Sequence, residues 1–161
     1  MRKPVYLVSV FFLMLITGVF WGTWFTLTRS IESFSPDEFT HIGKVIIANV
    51  ALPMRFIMPT GILLIIWSLW ICKQKKTTAF YLGVLSLILI IATLLITILV
   101  LVPIDNDIKE WTSTTLPFDF EKIRNKWKTY HAIRTFLSLT SFVCFTVFIL
   151  GEQNKQSTSS V

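Results

Sequence analysis

The sequence predicts an all-α membrane protein in which four transmembrane helices form an antiparallel bundle. Hydrophobic residues make up 53% of the 161 residues and charged residues only 15%, which is little charge for a soluble domain. The apolar residues fall into four runs, each long enough, or nearly so, to cross a hydrocarbon core of ~30 Å at ~1.5 Å per residue. The predicted spans lie at about 5–28, 54–72, 80–102 and 134–150.

The basic excess indicates membrane topology rather than a nucleic-acid surface. The formal charge is +6. Most of the excess lies in short segments beside the spans, which carry Arg2, Lys3, Lys73, Lys75, Lys76 and Lys155 against Glu152 alone. The long segments 29–55 and 103–134 are almost balanced in charge. The positive-inside rule therefore predicts a multi-pass protein of the cell membrane with both termini cytoplasmic and the long segments outside.

The chain is predicted to be a single domain at 1–151 with a Ser/Thr/Gln-rich tail, 152–161, that is expected to be disordered. The first apolar run follows Arg2 and Lys3 as in a signal peptide, but it continues past Trp24 without a small-residue cleavage pattern. We therefore expect it to remain as the first span. Gly18 and Gly22 form a G-x-x-x-G motif, which lets a neighbouring helix approach closely.

The two cysteines, Cys72 and Cys144, are single and far apart, and the sequence contains no C-x-x-C motif. A thiol redox site is therefore not indicated. We interpret both residues as small apolar side chains within the packing.

The second helix is predicted to begin near Pro36, well before the second apolar run. Ser35 can cap it, Pro36 suits the first helical position and Glu38 completes a capping box. Pro53 and Pro59 then predict kinks.

An apolar stripe on this helix is expected to face the bundle. It comprises Phe39, Ile42, Ile46, Asn49 and Pro53. The Asn49 amide is accordingly predicted to point inward, where an interhelical hydrogen bond and a ligand contact are the two interpretations.

The third run, 80–102, carries no acid, base or amide and is interpreted as scaffold. Pro103 is predicted to end it, with Asp105-Asn106-Asp107 in a turn. The last helix is predicted to begin at Asp119 and to reach about Leu150, a length of ~48 Å that exceeds the membrane core. Helices 2 and 4 should therefore extend on the outer side and enclose an outward-facing pocket.

The segment 103–134 holds most of the residues suited to chemistry. Arg124, Trp127, His131 and Arg134 follow one another at i, i+3, i+7 and i+10, which places them on roughly one helix face. Interfacial anchoring explains each residue singly. Together, and with Asn49, Asp105 and Trp111 near the same rim, they predict a catalytic or ligand-binding site.

The residue types suggest separate roles within that site. His131 is the natural general base, because its ordinary pKa lies near neutrality. The two arginines, Arg124 and Arg134, would stabilise an oxyanion. Trp127 would stack on a flat substrate.

The carboxy-terminal half also carries a recognisable signature: Val102-Pro103-Ile104-Asp105-Asn106, then Trp111, then Arg124-x-x-Trp127-x-x-x-His131-x-x-Arg134-Thr135. This signature resembles that of the small four-helix membrane family that includes the anthrone oxygenases, and the resemblance covers most of 17–150. It implies a cofactor-independent enzyme in which His131 deprotonates an anthrone and the carbanion reacts with oxygen. Asp105 departs from the pattern, since the family usually has Asn there.

Three functions are open from the sequence. The first is a cofactor-free oxygenase acting on a small aromatic substrate, and the second is a non-catalytic membrane module that binds a lipid headgroup or a partner protein. The third is haem or metal binding through His131 and His41. No zinc spacing is present, so neither a metal site nor a cofactor is predicted. The lipid bilayer, a small aromatic substrate and a second copy of the chain are the expected partners, whereas nucleic acid is not expected.

Overall fold

The computed structural model describes residues 2–112 and 114–158. In these residues the fold is all-helical, as predicted, and contains no strand. The helices are α1 (Arg2–Thr26), a 3-10 helix (Thr28–Ser33), α2 (Pro36–Ile71), α3 (Thr78–Ile96), a π segment (Thr97–Leu101), α4 (Val102–Glu110) and α5 (Phe120–Thr158). Four helical stretches are long and apolar enough to cross a membrane: Arg2–Ser33, Pro36–Ile71, Thr78–Glu110 and Phe120–Glu152.

The start of α2 confirms the predicted capping box. The Ser35 hydroxyl accepts a hydrogen bond from the Glu38 backbone N–H at 3.3 Å, and the Ser35 N–H donates to the Glu38 carboxylate at 2.8 Å. The helix then continues without interruption through Pro53 and Pro59 to Ile71. It is 36 residues long, whereas α1 has 25.

Two expectations about helix ends need correction. Pro103 does not end the third span, and Asp105-Asn106-Asp107 is helical rather than part of a turn, because α3, the π segment and α4 form one continuous helical stretch. A proline has no N–H, and its ring crowds the carbonyl four residues back. The wider π turn, in which the Val102 N–H bonds to the Thr97 carbonyl, gives that ring room. At the carboxy terminus, α5 continues to Thr158, past the predicted end of the last helix at about Leu150.

Two hydrophobic cores lie one above the other along the bundle. The first contains Leu13, Ile16, Ile65, Ile90, Phe145 and Phe148. The second contains Ile31, Phe39, Leu101, Ile108, Phe120 and Trp127. Large apolar side chains such as Leu7, Phe56 and Leu99 are exposed on the outside of the same helices, as expected for helices that lie in lipid.

Small residues bring the helices of the first core close together. The hydroxyls of Ser9 and Ser68 lie 2.8 Å apart, and those of Ser86 and Ser141 lie 2.9 Å apart. Such pairs satisfy polar groups where no water is present. Gly83 is required at its position, because a Cβ there would lie 2.9 Å from the ring of the fully buried Phe148.

The G-x-x-x-G motif of α1 does not have the predicted role within this chain. A Cβ added at Gly18 or at Gly22 would meet no described atom within 4 Å. The close approaches to α1 occur on its other face, where Gly61 of α2 receives Ile16.

Both cysteines are buried and free, in agreement with their interpretation as packing residues. Burial raises the pKa of Cys72 to about 11. The thiol of Cys72 is therefore protonated at neutral pH and is a poor nucleophile.

Candidate functional site

The four predicted residues of α5 face the interior of the bundle. Their exposed fractions are 8% for Arg124, 3% for Trp127, 4% for His131 and 8% for Arg134. Arg134 therefore points into the protein and not up to the headgroups. Buried guanidinium and imidazole groups in an apolar span are costly and mark a functional site.

His131 and Arg134 are in direct contact. The Nη2 of Arg134 lies 3.1 Å from Nδ1 of His131 and 3.4 Å from Nε2. A guanidinium can only donate, so the imidazole nitrogen that meets it acts as an acceptor, which is possible in the neutral ring. The contact therefore favours the neutral ring but occupies the lone pair of that nitrogen, so His131 could take up a proton there only after this hydrogen bond opens.

Arg134 has few other partners. Its Nη1 donates to Thr97 Oγ1 at 3.4 Å, and its guanidinium lies 4.3 Å from the centre of the Phe20 ring. None of the ion pairs among the described residues includes Arg134, and its buried Nε has no hydrogen-bond partner there. The guanidinium thus keeps a donor that a bound oxygen could accept from.

Trp127 is fixed from two sides. Its Nε1 donates to Oδ1 of Asp105 at 2.9 Å, and its ring lies over that of His131 with centroids 3.7 Å apart. Phe39 meets it edge-on at 5.8 Å. One face of the indole is therefore covered by His131, and stacking of a substrate on that face would require displacement of the imidazole. We call Asp105, Trp127, His131 and Arg134 the central group.

Arg124 and Trp111 lie outside the central group. Arg124 donates to the Glu121 carboxylate at 2.5 Å and to the Phe34 carbonyl at 3.2 Å. Trp111 packs on Phe120 with ring centroids 5.8 Å apart. Ten residues of helix separate Arg124 from Arg134, a rise of ~15 Å. The two arginines therefore cannot hold one small oxyanion together, which corrects that expectation.

Asn49 is also not brought to this group. It is exposed on α2, and the inward face of the helix carries Phe39, Gly43, Ile47, Met54 and Met58 instead. The observed inward face of α2 is displaced by about one residue from the predicted stripe. The Asn49 amide therefore points away from the bundle. His41 is likewise exposed, and within 2–112 and 114–158 no three His, Cys, Asp or Glu side chains are grouped as a metal site would require.

Two apolar grooves lie elsewhere on the molecule. One, of about 340 Å³, is an apolar groove between α1 and α5 lined by Met14, Thr17, Gly18, Trp21, Leu139 and Phe142. Another, of about 390 Å³, follows α5 beside Ala132, Ile133, Phe136, Leu137 and Thr140. Neither is lined by a residue of the central group, which is closed in this structure.

Three residues to which the sequence analysis assigned no role surround the central group. Phe20 lies against the Arg134 guanidinium, and Thr97 accepts from it. The Thr135 hydroxyl donates to the His131 carbonyl at 2.7 Å and lies 3.2 Å from the Phe20 carbonyl oxygen, so it joins α5 to α1. All three belong to apolar runs. Their polar contacts depend on how helices distant in sequence pack together, so the sequence alone does not reveal them.

The comparison with known families identifies the family of the chain. A family model of the anthrone oxygenases matches residues 49–144, which is more than half of the chain and includes the whole central group. No curated protein and no solved structure matches the chain. The chain belongs to the anthrone oxygenase family.

Proposed function

We propose that the protein is a membrane-bound oxygenase that oxidises a small aromatic substrate without a metal or organic cofactor. The observation that carries this proposal is the contact of His131 with Arg134, 3.1 Å between Nδ1 and Nη2, inside an apolar bundle. It joins a general base to a permanent positive charge. Membership of the anthrone oxygenase family supports the same reaction class.

The proposed reaction begins at a methylene group between two aromatic rings, next to a carbonyl-bearing ring system. His131 takes a proton from this carbon, and the negative charge moves to the substrate oxygen. The carbanion then reduces dioxygen and combines with it to form a peroxide, which takes up the proton. Loss of water from the peroxide leaves a carbonyl, so that one methylene and one O₂ give one ketone and one water.

The central group suits the charge changes of this reaction. The unpartnered Nε–H of Arg134 is a donor for the oxyanion, and it acts in a site from which water is excluded. Asp105 and Trp127 hold the imidazole from its other side. Since His131 is only 4% exposed, the substrate enters after a local opening of the bundle.

Oxygen uptake by the detergent-purified protein with a small panel of anthrones tests this function. We expect consumption of one O₂ per quinone formed, unchanged by a metal chelator. The spontaneous rate without protein is the control. Protein-independent uptake across the whole panel would contradict the proposal.

The second candidate is a non-catalytic module that binds a lipid headgroup or a partner protein at the same rim. The closed packing around His131 favours it, because a hydrogen-bonded group without a cavity suits a structural role. In that case lipids would raise the thermal stability of the protein equally in the wild type and in His131→Ala. A lipid effect that disappears with His131 would instead assign the histidine to the binding site.

We further propose that the protein lies in the cell membrane with both termini in the cytoplasm, as the basic short segments indicate. Cysteines introduced at two exposed positions on opposite sides test this, since both native cysteines are buried. A membrane-impermeant maleimide should label Thr114→Cys in intact cells and Lys75→Cys only after permeabilisation. The reverse pattern would invert the topology.

A further inference from the structure

The π segment Thr97–Leu101 places a hydroxyl beside the buried arginine of α5. Its cause lies in the sequence, since Pro103 lacks an N–H and its ring needs room against the Leu99 carbonyl. The hydrogen bond from the Val102 N–H spans five residues to the Thr97 carbonyl and widens the helix there. Such single π turns are frequent at functional sites.

The Thr97 hydroxyl has a defined direction. It donates its proton to the Thr93 carbonyl at 2.8 Å, so that its lone pairs remain as acceptors. The Nη1 of Arg134 lies 3.4 Å from this oxygen. The result is a chain of two hydrogen bonds, from the guanidinium to the hydroxyl and from the hydroxyl to the backbone of α3.

Apart from the attraction of the Asp105 carboxylate, little else restrains Arg134 in the described part of the chain. Phe20 contacts the guanidinium through its ring, which favours a position above the ring but does not set the rotation of the group. The other hydrogen-bonding partner is His131 itself. Thr97 therefore supplies the oxygen that decides which nitrogen of Arg134 meets the imidazole.

We propose that Thr97 is a positioning residue of this site. By holding Nη1, it keeps Nη2 on His131 and leaves Nε–H without a partner, as a donor for a substrate oxygen. The structural part of this inference stands on geometry alone, and its catalytic consequence rests on the proposed oxygenase function. Thr97 lies in a run that the sequence suggested was only scaffold.

Three variants separate this role from general packing. Thr97→Val keeps the shape but removes the acceptor, and Thr97→Ser restores it. Thr93→Val is the matched control, because Thr93 is fully buried one turn earlier and its hydroxyl bonds only to the Leu89 carbonyl in the described structure. Thr93→Val leaves intact the backbone carbonyl to which Thr97 donates.

The first measurement is the ¹⁵N NMR spectrum of the arginine side chains in the detergent-purified protein, with the Arg134 signals assigned from Arg134→Lys. In Thr97→Val we expect rotation and solvent exchange of the Arg134 Nη groups to rise several-fold, with wild-type behaviour in Thr97→Ser and Thr93→Val. Unchanged Arg134 signals in Thr97→Val, or equal changes in Thr93→Val, would overturn the proposal.

The second measurement is steady-state oxygen uptake. We expect Thr97→Val to lower kcat about tenfold with KM unchanged, the effect of one hydrogen bond to a charged group that matters in the transition state. Thr97→Ser should recover most of the loss. If the wild type consumes no oxygen, the oxygenase function fails, while the NMR result still decides the positioning role.

Discussion

His131→Gln should lower the kcat of oxygen uptake by about 10²–10⁴-fold, because it removes the general base. Glutamine is the informative replacement. Its side-chain oxygen can still accept a hydrogen bond from Arg134, yet the amide has no basic nitrogen. The Thr135 hydroxyl contacts the backbone carbonyls of residue 131 and of Phe20, so the link between α5 and α1 does not depend on the imidazole. Steady-state uptake and thermal unfolding, measured on the same preparations, give activity and stability together.

His41→Gln is the matched control, since it replaces the other histidine of the chain at an exposed position on α2. We expect wild-type turnover from it. Turnover of His131→Gln equal to that of the wild type would remove His131 from the mechanism. Loss of turnover accompanied by unfolding would require His131→Asn as a further variant, with activity compared only between folded proteins.

The membrane architecture could be predicted from the sequence because it depends on local properties. Four apolar runs of sufficient length are a property of composition, and the capping box at Ser35 and Glu38 involves residues only three positions apart. The inward direction of Trp127 and His131 follows from helical periodicity in the same way. Such features need no knowledge of which helices are neighbours.

The errors arose where neighbouring helices decide the outcome. Asn49 seemed to lie on the inner face because apolar residues surround it on both faces of α2, and lipid accepts such residues as readily as the core does. Pro103 looked like a helix end because a proline ends a helix more often than a π turn accommodates it. In a bilayer, hydrophobicity alone does not distinguish the lipid-facing side of a helix from the packed side.

The site could be predicted only in part, because contacts between helices also decide which of its residues lie together. The spacing along α5 grouped Arg124 with Arg134, but they have different neighbours. Phe34 and Glu121 accept hydrogen bonds from Arg124, whereas Thr97 and Phe20 contact Arg134. Threonine is common in apolar spans as a group that bonds to its own helix. Only the approach of α3 to α5 shows that the oxygen of Thr97 has a second partner.

Because the two arginines lie apart, replacing Arg134 should affect activity and not stability, whereas replacing Arg124 should affect stability and not activity. Arg134→Met should lower kcat by about 10²–10³-fold, as expected when a donor to a developing oxyanion is removed. Its thermal stability should be unchanged or higher. A guanidinium without an ion pair loses its hydration on burial, and an apolar side chain of similar volume often replaces it at no cost in stability.

Arg124→Met should behave in the opposite way, which makes it the control for Arg134. The two Nη groups of Arg124 donate to the Phe34 carbonyl and the Glu121 carboxylate, so its loss should destabilise the protein by about 1.5–3 kcal/mol. It lies ~15 Å along the helix from Arg134 and should leave kcat within a few-fold of the wild type. Oxygen uptake and thermal unfolding of both variants give the comparison. If Arg134→Met were the destabilised variant and kept its turnover, Arg134 would have a structural role and not a catalytic one. Another group would then have to donate to the oxyanion.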